Sequence, residues 1–114
     1  MNKVVLMGRL TRDPEWFEAK SSEGVEVCRY TLAIPRRSKP DEADFVDIVS
    51  FGKLADMADT FFKKGMRVCI SGSLQSGSYK NKDGNTVYTL NVIADSQEFA
   101  SDKKDDSDKR GRRR

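Results

Sequence analysis

The residues best suited to chemistry lie in the segment 44–65, DFVDIVSFGKLADMADTFFKKG. The segment predicts a strand that runs directly into a short amphipathic helix. Because side chains alternate across a strand, one face carries two aromatic rings, Phe45 and Phe51, with the charged Asp47 between them. Aromatic rings on a solvent-facing sheet, with cations nearby, can stack against unpaired nucleic-acid bases.

The other face of this strand carries Val46 and Ile48 and is suited to a hydrophobic core. The alternative for Phe45 and Phe51 is a second core layer, although the charged Asp47 beside them makes a poor interior. The strand alone leaves both interpretations open.

Basic residues lie close to the candidate aromatic residues in sequence. Lys53 follows Phe51, and Lys80 and Lys82 follow Tyr79. The loop before Phe45 contains three more cations: Arg36, Arg37 and Lys39. Cations interleaved with aromatic rings match a groove for a single strand. The alternative is that these are ordinary solvated loop residues.

The distribution of charge is more informative than its total. Residues 101–114 contain seven basic and four acidic residues, so this tail carries the whole net charge of +3. The first 100 residues contain 14 basic and 14 acidic groups and are neutral. We expect the tail to be disordered. It is either a flexible basic arm that attracts phosphate or only a solvated end.

The composition argues against an enzyme. Histidine is absent, which removes the usual general base and the commonest zinc ligand. Cys28 and Cys69 lie far apart in strand-like runs and are predicted to be free, buried thiols, with a redox or disulfide role as the alternative. No phosphate-binding loop, HExxH or CxxC spacing occurs. We expect no catalytic residue, no cofactor and no metal site.

Nothing in the sequence predicts a membrane segment. No apolar run approaches the roughly 20 residues that a spanning helix needs. The N-terminal apolar stretch, residues 4–8, is too short for a signal peptide. With 37% hydrophobic and 34% charged residues, the chain is expected to be a cytoplasmic protein with no membrane partner.

The hydrophobic pattern predicts an all-β fold with one helix. The predicted strands are 3–10, 25–34, 45–51, 66–74 and 86–94, with a helix over 53–64 that Gly65 caps and a hairpin turn over 81–85. This order is typical of the OB-fold, a five-stranded Greek-key barrel, here with its helix between strands three and four. An SH3-like barrel is the competitor, but it does not need that helix. We predict a domain over 1–100 and a tail over 101–114.

Four segments together resemble the bacterial single-stranded DNA-binding protein family. They are NKVVLMGRLTRDPE near the start, YTLA at 30–33, FGKLADMA at 51–58 and KKGMRVCISGSL at 63–74. The resemblance covers about residues 1–99. It implies an OB-fold homotetramer that wraps single-stranded DNA without sequence preference, in replication, recombination and repair.

The resemblance also implies roles for individual residues. The stacking aromatic residues of the family fall on Phe45, Phe51 and Tyr79, which agrees with the strand-parity argument for the two phenylalanines. Its basic contacts in the first strand and beside the helix fall on four residues: Lys3, Arg9, Lys53 and Lys64.

The sequence departs from the family at four points. The loop 35–44 has no stacking aromatic, and residues 75–78 replace a basic run before Tyr79. Asp47 stands where a basic residue is common. The chain ends KRGRRR, where the family usually has an acidic tail with a hydrophobic tip that recruits replication and repair proteins. A truncated tip and a divergent member both fit. An accessory OB-fold subunit of primosome type and an RNA-binding OB module remain alternative functions.

Overall fold

The computed structural model describes residues 1–19 and 24–100 as six strands and one helix. The elements are β1 (Val4–Leu10), β2 (Glu15–Ala19), β3 (Val25–Pro35), β4 (Ala43–Phe51), α1 (Lys53–Phe61), β5 (Arg67–Lys80) and β6 (Thr86–Phe99). The predicted tail over 101–114, and its possible role as a basic arm, lie outside the described residues.

The six strands form one sheet that closes on itself. The strand order is β1-β5-β6-β4-β3-β2, and β1 also pairs with β3 at Leu10↔Leu32. β4 and β6 run parallel, with Ile48 opposite Val92, and the other pairs are antiparallel. The helix lies between β4 and β5 in the chain. This confirms the predicted barrel with one helix at that point.

β2 is a strand that the sequence pattern did not predict. Its residues pair antiparallel with β3, from Glu15↔Arg29 to Ala19↔Val25. A strand with one wet face is expected to alternate polar and apolar residues, but here two aromatic residues, Trp16 and Phe17, stand side by side. The pair hides the two-residue period, so the sheet has six strands and not the expected five.

The core fills the inside of the barrel. β3 contributes alternate residues, and Ile48 of β4 is fully buried with Val46 packed beside it, as predicted. The largest fully buried side chains are Phe62, Leu32, Ile48, Ile70, Val68 and Val92. From the helix, Ala55 and Ala58 face this core with no exposed surface. Their small size lets α1 lie close to the strands.

The helix ends at Phe61, three residues before the predicted end. Phe62 is extended, with φ −86° and ψ 141°, and its N–H donates to the carbonyl oxygen of Ala58 at 2.9 Å. Because the chain leaves the helix at this point, the Phe62 ring packs into the core. Lys63 therefore follows the helix, and Gly65 is not its cap. Gly65 lies instead in a turn closed by the N–H of Met66, which donates to the Lys63 carbonyl at 3.0 Å.

A hydrogen-bonded glutamine ties the helix to the barrel. Gln97 of β6 is 6% exposed, and its Oε1 atom accepts a hydrogen bond from the Tyr30 hydroxyl at 2.8 Å. Its amide nitrogen donates to the carbonyl of Leu54 at 3.0 Å. Both polar ends of this buried side chain thus have partners.

The β5–β6 hairpin is longer than predicted, with 14 residues in each strand. Pairing continues to Lys80↔Thr86, and the turn follows the predicted Asp-Gly signal: the N–H of Asn81 donates to the Asn85 carbonyl at 3.0 Å and Gly84 has φ 82°. Residues 74–86 are all exposed. The hairpin therefore extends past the buried barrel.

A β-bulge explains why the far end of β6 was not predicted. Ser71 pairs with Ser96 and Gly72 with Ala94, so Asp95 is an extra residue. The bulge shifts the alternation and turns Gln97, not Ser96, into the core. A Cβ at Gly72 would overlap the carbonyl oxygen of Ile93, so the close approach of the strands requires glycine.

Candidate nucleic-acid interface

The outward face of β4 carries the two predicted phenylalanines. Phe45 is 69% exposed and Phe51 45% exposed, with Asp47 between them also exposed. Only Val49 on this face is buried. The two rings therefore do not fill a second core layer in this chain. We call this surface, together with Val27, Arg29 and Thr31 opposite it on β3, the aromatic face.

Phe51 lies at the side of an open cleft of about 270 Å³. Strands β2, β3 and β4 supply its apolar floor, and the base of the β5–β6 hairpin supplies the polar residues opposite. Its lining includes Phe17, Val27, Val49, Phe51, Arg29, Gln75, Gly77, Thr89, Asn91 and Ile93. Apart from Arg29, the side of the cleft formed by β2, β3 and β4 is apolar, and apart from Ile93 and Gly77, the hairpin side is polar, so the cleft offers both kinds of contact to a nucleotide.

Phe17 is an aromatic residue of this cleft that the sequence did not identify. It stands opposite Val27, which in turn stands opposite Phe51, so the three side chains form a row across β2, β3 and β4. The Phe17 side chain is 41% exposed. The available signal was the segment EWFE at 15–18, in which strand alternation puts Trp16 and Phe17 on opposite faces.

Tyr79 lies near the end of β5 and is 57% exposed. By alternation it shares a face with Gln75 and Gly77, which line the cleft. The hairpin thus continues the surface that contains Phe51. Tyr88 and Leu90 lie on the opposite face of the hairpin and are 82% and 60% exposed.

Three of the predicted basic residues already have partners. Lys3 pairs with Asp95 at 3.4 Å, at the bulge of β6. Arg36 pairs with Glu42 at 3.3 Å and with Asp44 at 3.0 Å. Arg9 donates to the carbonyl of Gly65 at 3.0 Å. These contacts are exposed, so they are weak and can exchange with a phosphate.

Lys39 in the same loop as Arg36 pairs with Glu42 at 3.9 Å, and the five other predicted cations are exposed and form no ion pair with a described residue. In the part of the chain that the structure describes, no carboxylate lies within 4.0 Å of Arg37, Lys53, Lys64, Lys80 or Lys82. Lys53 begins α1 two residues after Phe51, and Lys80 follows Tyr79 directly. Alternation places the Lys80 side chain on the opposite face of β5 from Tyr79, whereas Lys53 stands at the start of α1, directly after the strand that carries Phe51.

A second cavity, the polar pocket, lies beside the aromatic face. It measures about 130 Å³ and is lined by Arg12, Glu15, Arg29, Tyr30, Thr31 and Asp47. Thr31 donates from its hydroxyl to the Oδ1 atom of Asp47 at 2.8 Å. Arg29 lines both this pocket and the cleft, and it is a basic residue that the sequence analysis missed. Only its cross-strand position opposite Val49 reveals it.

The two cysteines are free, as predicted. Cys28 is completely buried, whereas Cys69 is only partly buried. Burial raises the pKa of the Cys28 thiol to about 11, and the nearby Asp59 carboxylate adds to the shift. Within residues 1–19 and 24–100, no three acidic or cysteine side chains are grouped as a metal site. No helix in those ranges is long and apolar enough to cross a membrane.

Comparison with known proteins places this geometry in a family. The model of the Single-strand binding protein family matches residues 1–100. The chain belongs to this family. Membership identifies the closed sheet with its single helix as an OB-fold.

Individual relatives agree with this assignment. The chain is 46% identical over 99 residues to a "Single-stranded DNA-binding protein" of Clostridium perfringens, covering 87% of this chain and 65% of that one. It is 41% identical over 102 residues to "Single-stranded DNA-binding protein 2" of Clostridium acetobutylicum, covering 87% and 76%. It is 40% identical over 110 residues to "Single-stranded DNA-binding protein 1" of Staphylococcus aureus, covering 93% and 69%. The chain thus spans less than two thirds of the length of the first of these relatives.

Proposed function

We propose that this chain binds and protects single-stranded DNA, with little dependence on sequence, in replication, recombination and repair. The observation that carries the proposal is the exposure of three rings: Phe45 and Phe51 on one face of β4, and Tyr79 on the hairpin face that lines the cleft beside Phe51. Every base has an aromatic face, so stacking tolerates any sequence. Family membership and the names of the relatives support DNA as the ligand.

The rings are spaced for several nucleotides and not for one. Phe45 and Phe51 are six residues apart on β4, which is about 20 Å along a strand. They therefore stack on different bases of one DNA strand. From Phe51 the cleft leads between the sheet and the hairpin toward Tyr79. We infer that the DNA follows this route.

The cations supply attraction to phosphate. Lys53, Lys80 and Lys82 are the first candidates, together with Arg37 and Lys64, because no carboxylate pairs with them among the described residues. Three further candidates can bind phosphate when it replaces their present hydrogen-bond or ion-pair partners: Lys3, Arg9 and Arg36. Each phosphate contact on a single strand should steepen the dependence of log affinity on log salt by about 0.7.

We also propose that the chain assembles into a homotetramer. Among the described residues, 4–8 of β1 pair with β5 alone, so no described strand covers the other edge. Val5 and Met7 on the same strand are 65% and 45% exposed. The hairpin face opposite Tyr79 adds Tyr88 and Leu90. Open strand edges and exposed apolar residues on both elements are suited to contacts between copies.

The remaining parts of the proposal come from the sequence. The binding domain is residues 1–100, and 101–114 form a separate charged tail. The chain acts without enzymatic activity and without a cofactor, and its cytoplasmic location stays a prediction. Recruitment of replication and repair proteins stays a prediction from the family resemblance.

The test is to compare binding of poly-dT and poly-U and to measure the mass of the assembly by light scattering. The proposal expects tighter binding of poly-dT and the mass of four chains across a wide concentration range. Preference for poly-U would favour an RNA-binding module, and binding to neither polymer would favour an accessory subunit. A monomer mass at all concentrations would contradict the tetramer.

A further inference from the structure

The position of Asp47 is not explained by sequence-independent binding. A carboxylate on the aromatic face repels the phosphates that the surrounding cations attract. Asp47 also forms no ion pair in the part of the chain described here, although Arg12 and Arg29 line the same polar pocket. An exposed anion at the centre of such a face needs a partner other than phosphate.

Asp47 also lines a groove that contains a stacking ring. This apolar groove of about 380 Å³ is formed by Val4, Leu6, Phe45, Val46, Asp47, Leu74, Leu90 and Val92. Phe45 and Asp47 are two residues apart on one face of β4, or about 7 Å along the strand. A base that stacks on the Phe45 ring and extends along β4 can therefore bring one edge to the carboxylate.

The carboxylate is held in place for such a contact. The Thr31 hydroxyl donates to its Oδ1 atom at 2.8 Å from the neighbouring strand, which restrains the side chain. No other hydrogen bond to Asp47 occurs within residues 1–19 and 24–100, so Oδ2 is available. An ionised carboxylate can only accept hydrogen bonds.

We propose that Asp47 reads the edge of the base stacked on Phe45, accepting a hydrogen bond from its exocyclic amino group. Cytosine presents a 4-amino donor at the position where thymine presents a carbonyl acceptor. Thymine in this place would set two acceptors against each other. The chain therefore holds cytosine more tightly than thymine at this position, as a bias on otherwise sequence-tolerant binding. This inference deepens the proposed binding of single-stranded DNA and rests on it.

The test compares the affinities of dC and dT oligomers of equal length, in a mildly alkaline buffer, for the unmodified protein and for Asp47→Asn. The asparagine is isosteric, and its amide can donate to the thymine carbonyl. We expect the ratio of dC to dT affinity to fall about fivefold in the variant. Asp59→Asn is the matched control, because it removes the same charge from the exposed surface of α1. It should leave the ratio unchanged.

A second experiment changes the base instead of the protein. In an oligomer of 2-pyrimidinone nucleotides, hydrogen replaces the 4-amino group of cytosine. The unmodified protein should bind it more weakly than the dC oligomer, and Asp47→Asn should bind the two more nearly alike.

Three outcomes are decisive against the inference. If Asp47→Asn tightens binding of dC and dT by the same factor, Asp47 only repels phosphate. If the unmodified protein binds 2-pyrimidinone and cytosine oligomers equally, the amino group is not read. If the unmodified protein binds no single-stranded DNA at all, the proposed function itself fails, which neither of the first two outcomes would imply.

Discussion

Two groups of aromatic side chains in this molecule have opposite surroundings. In the first, Phe62 contacts Tyr30 and Phe99 edge to face, each at 5.6 Å between ring centroids, and Phe61 meets Phe99 at 6.4 Å. In the second, Phe45 and Phe51 are exposed, and neither contacts another ring among the described residues. The residue types are alike, and only their neighbours differ.

The difference shows how the chain divides its aromatic residues between stability and binding. All four rings of the first group gain from packing against one another, and Tyr30 and Phe62 gain from burial as well. They hold α1 against the barrel where the strands leave an open end. Folding leaves much of the apolar surface of the second group exposed to water. This surface is removed from water only when a ligand stacks on it, and any nucleic-acid base can stack in this way.

The largest expected effect comes from removing the centre of the first group. Phe62→Ala deletes a ring that is 1% exposed and should lower the free energy of unfolding by about 3–5 kcal/mol. Urea unfolding at one fixed protein concentration measures the loss, since assembly makes stability depend on concentration. The affinity for poly-dT of the fraction that remains folded should not change. A loss below about 1 kcal/mol would show that Phe62 does not anchor the helix.

The next effect comes from the second group. Phe51→Ala should weaken binding of poly-dT by about 1–3 kcal/mol per stacked base. Its melting temperature should change little, because the ring is already 45% exposed. Phe45→Ala and Tyr79→Ala should behave in the same way. Fluorescence titration at one salt concentration, with thermal unfolding of each variant, makes the comparison.

Phe61→Ala is the matched control for these variants. Phe61 is 54% exposed, close to the value for Phe51, but it lies at the end of α1 and contacts Phe99. Its loss should leave the affinity unchanged. If Phe51→Ala lowers stability and leaves affinity intact, the division between the two groups is wrong and Phe51 is a structural residue.

The two groups also differ in how well the sequence predicts them. Alternation along β4 was enough to place Phe45 and Phe51 on the same face, but it left open whether that face was exposed or buried, which the structure decides. The resemblance placed Tyr79, whose exposure and face agree with that role. Phe17 and Arg29 join the site through pairing across β2, β3 and β4, and pairing between strands is not visible in a local pattern.

The ends of elements were the other limit on prediction. The end of α1 depends on the core position that Phe62 must reach, and the shift in β6 depends on an extra residue, Asp95, at the bulge. Both are decided by tertiary packing. The outer half of the hairpin was shortened in prediction because segments such as QSGS at 75–78 carry no hydrophobic alternation.

A smaller effect is the dependence of stability on alkaline pH, which comes from two buried groups of β3. Cys28 and Tyr30 are buried on the same side of β3, and burial raises the pKa of both groups, that of Cys28 to about 11. In the unfolded chain the thiol ionises near its ordinary pKa of 9.0. The unfolded state therefore loses its proton first as pH rises. Stability is full below about pH 9 and should decline between pH 9 and 11.

Variants separate this thiol from other alkaline effects. Cys28→Ala should make the decline in unfolding free energy between pH 9 and 11 shallower, although Tyr30 keeps part of it. Cys69 is only partly buried, so Cys69→Ala should keep the decline of the unmodified protein. Urea unfolding at several pH values tests both. Equal slopes for Cys28→Ala and the unmodified protein would mean that the thiol is not protonated preferentially in the folded state.

The smallest expected effect is the quenching of tryptophan fluorescence by DNA, which distinguishes the two faces of β2. Trp16, the only tryptophan, is 40% exposed, and its Nε1–H donates to the Glu26 carboxylate at 3.1 Å. Trp16 stands opposite the buried Cys28 of β3, on one face of the sheet. Phe17 points to the other face and lines the cleft. DNA should therefore quench Trp16 fluorescence only weakly. In the double variant Trp16→Phe/Phe17→Trp the single tryptophan moves to the cleft, and quenching by poly-dT should become strong. Strong quenching in the unmodified protein, with none gained in the double variant, would place the DNA on the other face of β2 and refute the route past Phe51.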